Sequence, residues 1–148
     1  MIYGLDTTFL IEAEVLEHPG NSAARGFLSD LLDDGHTLAL APQVLSEFVH
    51  IVTDSRRFTR PLEVTRALSH AQQWWNSKEV VQTFPTQEST KLFMEWMILH
   101  KLGRKRILDT QLAATYFANG VDNIVTTNVR DYSVFGCFTL CKPSGSDP

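Results

Sequence analysis

Met1-Ile2-Tyr3-Gly4-Leu5-Asp6-Thr7-Thr8-Phe9-Leu10-Ile11-Glu12 is the stretch from which the fold can be read. Met1 to Leu5 is a short, largely apolar run of the length of a buried strand, and it stops at an acid. From Thr8 to about Val15 the apolar residues change to helical spacing. A buried strand that ends on a carboxylate and turns at once into a helix is the start of a βα unit, and the rest of the chain repeats the pattern.

After His18-Pro19-Gly20 a helix is expected from Asn21 to Leu32, capped by Asn21 or Ser22. Asp33-Asp34-Gly35 stops it, and Thr37 to Ala41 reads as a second strand. Pro42 suits the first position of a helix running from Gln43 to Thr53. Pro61 opens another to about Trp75, with Val64, Leu68, Ala71, and Trp75 along one line. Val80 to Phe84 is a third strand. Thr86 caps a helix whose apolar stripe is Leu92, Phe93, Trp96, Met97, and Leu99. A basic loop from Lys101 to Arg106 leads to a helix from about Leu108 to Asn119, closed by Gly120. Asn123 to Thr126 and Phe138 to Leu140 complete five strands. Strands separated by helices pair in parallel through right-handed crossovers. The predicted fold class is therefore α/β, a three-layer α/β/α sandwich around a parallel sheet of about five short strands. It forms a single domain over residues 1–141, with 142–148 as a disordered tail.

A chain of 148 residues, 43% hydrophobic and 20% charged, can bury a core without disulfide or metal staples, and it is not a disordered protein. Cys137 and Cys141 fall in the expected last strand, where their alpha carbons would lie roughly 13 Å apart, too far for a disulfide. They match no zinc spacing and read as reduced thiols. The first apolar run holds Asp6 and lacks a basic flank, unlike a signal peptide, and no run approaches the roughly 18 apolar residues of a membrane span. A soluble, cytoplasmic protein is expected. A net charge of -4 argues, taken alone, against a nucleic-acid partner.

Open parallel sheets gather their sites at the carboxyl ends of the strands, and four acids are placed to reach that edge. Asp6 ends the first strand, Glu47 lies on the helix after the second, Asp109 begins the helix before the fourth, and Asp131 follows the fourth. Each has an ordinary structural alternative. Asp6 can cap the helix after it, Asp109 can cap or complement a helix dipole, and Asp131 can bond its own loop or pair with Arg130. Glu47 has the weakest alternative, because Val44-Leu45-Ser46-Glu47-Phe48-Val49 carries few polar residues for a solvated face. Carboxylates brought together repel one another unless a cation offsets them. Hard divalent ions prefer oxygen ligands, and such a centre suits hydrolysis of a phosphodiester or phosphate ester.

Several segments, taken in order, resemble PIN-domain nucleases, particularly the VapC-type toxins of bacterial toxin–antitoxin pairs. They are Leu5-Asp6-Thr7-Thr8-Phe9-Leu10-Ile11-Glu12, Ser46-Glu47-Phe48, Asp109-Thr110-Gln111-Leu112-Ala113-Ala114, and Ile124 to Tyr132. The resemblance spans nearly the whole chain. It implies an acidic quartet of Asp6, Glu47, Asp109, and Asp131, with Asp6 and Asp109 as principal ligands of Mg2+ or Mn2+. It further implies support from Thr8, Thr126, and Asn128. Thr8 stands where Asn or Ser is common, and Asn128 where Asp is frequent. The implied activity is a metal-dependent endoribonuclease that leaves a 3′-hydroxyl and a 5′-phosphate. Its implied substrates are structured RNA such as transfer or ribosomal RNA, and its implied partners are a VapB-type antitoxin and a second copy joined through the early helices.

Eight of the thirteen bases are bunched, as Arg56, Arg57, Arg60, and Arg66 and as Lys101, Arg104, Lys105, and Arg106. The second group runs into Asp109 and is expected to contact RNA phosphates. Trp74, Trp75, and Trp96 read as core or interface and His50 as structural. Two alternatives stand beside the nuclease: a phosphatase with Asp6 as nucleophile, and a non-catalytic module that binds RNA or protein. Against the first, Thr8 occupies the place of the second aspartate that such phosphatases need.

Overall fold

Gly4 explains the centre of the molecule. A Cβ there would lie 2.8 Å from the ring of Tyr116, so the absent side chain lets a helix settle directly on the middle strand. That strand is β1 (Ile2–Leu5), within a five-stranded sheet of order β3-β2-β1-β4-β5 formed with β2 (Thr37–Leu40), β3 (Val80–Gln82), β4 (Asn123–Val125), and β5 (Thr139–Cys141). The computed structural model describes residues 1–143. All pairings are parallel, with Tyr3 opposite Leu38 on one side and Asn123 on the other.

The connections are α1 (Thr7–Glu14) and α2 (Asn21–Asp33), then α3 (Pro42–Val52) and α4 (Val64–Trp75), then α5 (Gln87–Leu99) and α6 (Ile107–Ala118), and last α7 (Val129–Ser133). α1 packs on α2 and α3, and α3 on α4, while α6 packs on α5 and α7. Right-handed crossovers put these two groups on opposite faces of the sheet, giving three layers. The strand order reverses between β1 and β4, because the chain steps outward through β2 and β3 before returning to β4 on the other side. Leu5, Phe9, Leu10, Leu40, Val44, Phe48, and Ile124 are fully buried around this point. Each such side chain contributes roughly 1.5–3 kcal/mol through removal from water.

Several local expectations change. α4 begins at Val64 rather than Pro61, and it buries Ala67 and Ala71 while Val64 and Leu68 face outward. The small residues let α4 approach α3 closely, which the larger ones would prevent. Leu99, placed on the apolar stripe of its helix, is 69% exposed. In α3 the buried residues are Val44, Phe48, and Val52. The basic loop ends in a 3-10 turn, Arg104–Arg106, and α7 occupies a stretch read as loop. Cys137 lies outside β5. Pro143 is buried, and the remainder of the expected tail, residues 144–148, lies outside the described residues. Trp75 packs edge-on to Phe84, and Trp96 stacks on Phe135. No helix among the described residues is long and apolar enough to cross a membrane.

Candidate functional site

The carboxyl end of β1 delivers Asp6 to the point where strand order reverses. Its backbone N–H donates to the Val125 carbonyl of β4 at 3.3 Å, and its side chain caps α1 by accepting from the Phe9 N–H at 3.0 Å. The same oxygen, Oδ1, accepts from the Thr8 hydroxyl at 2.8 Å. Oδ2 accepts from the Thr126 hydroxyl at 2.5 Å, and the Thr126 oxygen in turn accepts from the Asn128 N–H at 2.9 Å. Capping and participation in a site are therefore compatible roles, since the two oxygens are held by different elements. Asp6 is only 3% exposed, and burial pushes its pKa up to about 6 despite the three hydrogen bonds that pull it down.

Glu47 is brought to the same end by α3. Its Oε2 accepts from the Thr7 hydroxyl at 3.1 Å. One turn earlier on α3, the Gln43 amide donates to the Leu108 carbonyl at 3.0 Å, tying the start of α3 to the first turn of α6. That first turn carries Asp109. Its pKa is also raised to about 6, by burial first and then by the negative charges of Asp131, Asp6, and Glu47. Arg106 alone pulls it down. Four carboxylates thus share one electrostatic neighbourhood, although they come from four separate parts of the chain.

Asp131 pairs with Arg106 rather than with the adjacent Arg130. The Arg106 guanidinium lies 3.8 Å from Asp131 Oδ1 and also donates to the Asp131 carbonyl. The 3-10 turn points Arg106 inward, half-buried, while Lys101, Arg104, and Lys105 remain exposed. The Tyr132 hydroxyl reaches Asp109 at 3.5 Å, and burial keeps that phenol well above its ordinary pKa and hence protonated. Thr7, Gln43, and Tyr132 escape the sequence reading. Thr7 and Tyr132 lie beside acids in segments already singled out, but nothing in the order of residues says which neighbour points inward.

Among the described residues, no three acidic, imidazole, or thiol groups close on one point as a preformed metal cage. The chemistry of the donors nevertheless fits a hard divalent cation. They are oxygens only, two of the carboxyls are driven up to about 6, and among the described residues one half-buried arginine offsets Asp109. Mg2+ commonly takes one or two carboxylates and keeps several waters, so a complete protein cage is unnecessary.

The fold is shared with VapC toxins of known structure. The chain superposes on Mycobacterium tuberculosis VapC20, described as a Sarcin-Ricin loop cleaving toxin, with a TM-score of 0.69 at 19% identity over 93% of this chain and 96% of that one. It superposes equally well on VapBC2 from Rickettsia felis bound to a DNA fragment from their promoter, with a TM-score of 0.67 at 20% identity over 96% of this chain and 98% of that one. In sequence it is similar to ribonuclease VapC24 of Mycobacterium tuberculosis, 28% identical with 97% of both chains covered. No protein-family model matches the chain.

Proposed function

We propose that the protein is a divalent-metal-dependent endoribonuclease, the toxin of a toxin–antitoxin pair. The observation that carries this reading is the Asp109 carboxyl, raised to about 6 by burial and by three other carboxylates at the carboxyl end of a parallel sheet. A site that concentrates negative charge is unsuited to a polyanion until a cation is present. Asp6 and Asp109 would be the principal ligands of Mg2+ or Mn2+, with Glu47 and Asp131 completing its surroundings. The bound ion supplies activation of water and stabilisation of charge on the transferring phosphoryl group.

The chain's own residues perform the remaining work. Thr8 and Thr126 hold the two Asp6 oxygens in fixed directions, and Asn128 holds Thr126. Glu47, oriented by Thr7, is the carboxylate placed to orient an attacking water and accept its proton. In-line attack leaves a 3′-hydroxyl and a 5′-phosphate. Lys101, Arg104, and Lys105, exposed at the approach to α6, bind RNA phosphates, whereas Arg106 is engaged with Asp131. The likeness to VapC ribonucleases and VapBC assemblies supports structured transfer or ribosomal RNA as substrate and a VapB-type antitoxin as partner. Exposed Val64 and Leu68 on α4 and Ile98 and Leu99 on α5 supply apolar surface for that partner or for a second copy of the chain.

Mapping of 5′ ends in bacterial RNA after incubation with the protein and Mg2+ tests this reading. Discrete new 5′-phosphate ends, absent with Asp6→Asn and with Asp109→Asn, are expected. Equal cleavage by the wild type and both variants would contradict the ligand assignment.

A further inference from the structure

Beside the carboxylate centre runs an open cleft of about 470 Å³, a volume within the range of small-ligand sites. Thr8 and Thr127 form its near wall, so it is continuous with the site through the neighbours of Asp6 and Thr126. Ile11, Ile51, and Phe58 give it an apolar lining with one aromatic face. Glu12 also lines it, although only 9% exposed.

Glu12 is unusual in its bonding. Its Oε2 is fully buried without a hydrogen-bond partner. The backbone of Gly20 presses on the same carboxyl, and a Cβ there would come within 2.9 Å of Glu12 Cδ. Burial pushes its pKa up, with the charges of His18 and Lys142 drawing it back. A buried acceptor without a donor costs free energy, which a ligand donor recovers once a side-chain rotation turns that oxygen from its closed position against Gly20 into the cleft. The rest of the cleft indicates which ligand. Arg57 lines it as well, and a cationic side chain of this kind favours a phosphate-bearing ligand over an arginine or lysine side chain. Single-stranded RNA is read by splaying a base onto apolar and aromatic surface and hydrogen-bonding its edge.

We propose that this cleft is a nucleobase subsite for the RNA substrate, in which Glu12 accepts from an exocyclic amino group and selects guanine, adenine, or cytosine against uracil. The proposal rests on the ribonuclease reading for its ligand class. Glu12 lies about 9 Å along α1 from Asp6, from the helical rise alone, so the base it reads belongs to a nucleotide close to the cleaved bond. Uracil has no amino group, and its single edge donor, N3–H, lies between two carbonyl oxygens that the carboxylate would repel. Phe58 stacks on the base, and Arg57 contacts its phosphate.

The test is titration of the isotopically labelled full chain with the four nucleoside 5′-monophosphates, followed by NMR. GMP, AMP, and CMP should perturb the amides of Thr8, Ile11, Phe58, and Thr127 and bind about tenfold more tightly than UMP. Glu12→Gln, which preserves shape and adds a donor that uracil can use, should bring that ratio close to one. Arg57→Ala should weaken all four alike. Equal binding of all four by the wild type, absence of binding in the cleft, or an unchanged ratio in Glu12→Gln would overturn the proposal. So would tighter binding of an N-acetyl-arginine amide than of any nucleotide, which would make the cleft a peptide site. Selective nucleotide binding by a chain that never cleaves RNA would uphold the subsite and sink the nuclease reading. Cleavage with an identical base profile in wild type and Glu12→Gln would do the reverse.

Discussion

Thr126 gives its hydroxyl hydrogen to Asp6 and takes one from the Asn128 amide, so one small side chain orients a buried carboxylate and closes the loop after β4. Thr126→Val keeps the volume and removes both bonds. It should destabilise the fold by about 1–3 kcal/mol in urea denaturation. It should also raise the Asp6 pKa further, moving any pH–rate midpoint upward. Asp109 offers the complementary case. Its folded-state pKa of about 6 stands above the ordinary 3.8. The metal-free folded state therefore binds more protons than the unfolded chain between those values, and stability falls as pH rises through that window. Asp109→Asn should thus stabilise the metal-free protein at pH 7, on the order of 1–2 kcal/mol after allowing for solvent screening of a half-buried group. Urea denaturation at pH 7 and pH 4 should find the gain at the first and its loss at the second. Asp6→Asn is a less clean test, because its new NH2 would meet one of three donors now aimed at the carboxylate.

At the scale of elements, the contact of β1 with α6 sets where the site forms. Tyr116 lies on Gly4 and donates to the Leu5 carbonyl at 2.5 Å and to the Ala39 carbonyl at 3.2 Å, bracing α6 against β1 and β2. Gly4→Ala would drive a methyl into that ring and should cost about 1–3 kcal/mol, read as a lower urea midpoint. Strands and long helices are legible in the sequence because apolar runs and helical periods alternate with clear stops at Gly35 and Gly120. Both glycines adopt positive φ, 78° and 75°. Asp6, Asp109, and Asp131 are legible for a related reason, since each falls at or near an element's end, whereas Glu47 lies in the middle of α3 and stands out only against its apolar neighbours. Arg106 is not, because its inward direction depends on a 3-10 turn, and α7 has too few residues for a periodic signal. Leu68 misleads for another reason, as a helix can be amphipathic yet bury its alanines where it must approach a neighbour closely.

For the whole molecule, the net charge of -4 is a sum over two unlike parts. Apart from the four site acids, thirteen acids face thirteen bases, and eight of those bases are bunched in two segments. RNA binding should therefore be weak without divalent metal and strengthen with it. Replacement of Lys101, Arg104, and Lys105 by glutamate should weaken binding and flatten its dependence on salt. On the proposed reading, the four-carboxylate centre cleaves RNA only when a divalent cation offsets its charge. The most direct measurement is the single-turnover rate of RNA cleavage by the purified protein across a Mg2+ titration, with an EDTA arm. The rate should depend saturably on Mg2+, with no cleavage in EDTA and recovery when Mg2+ is returned. Cleavage that proceeds unchanged in excess EDTA would contradict that reading.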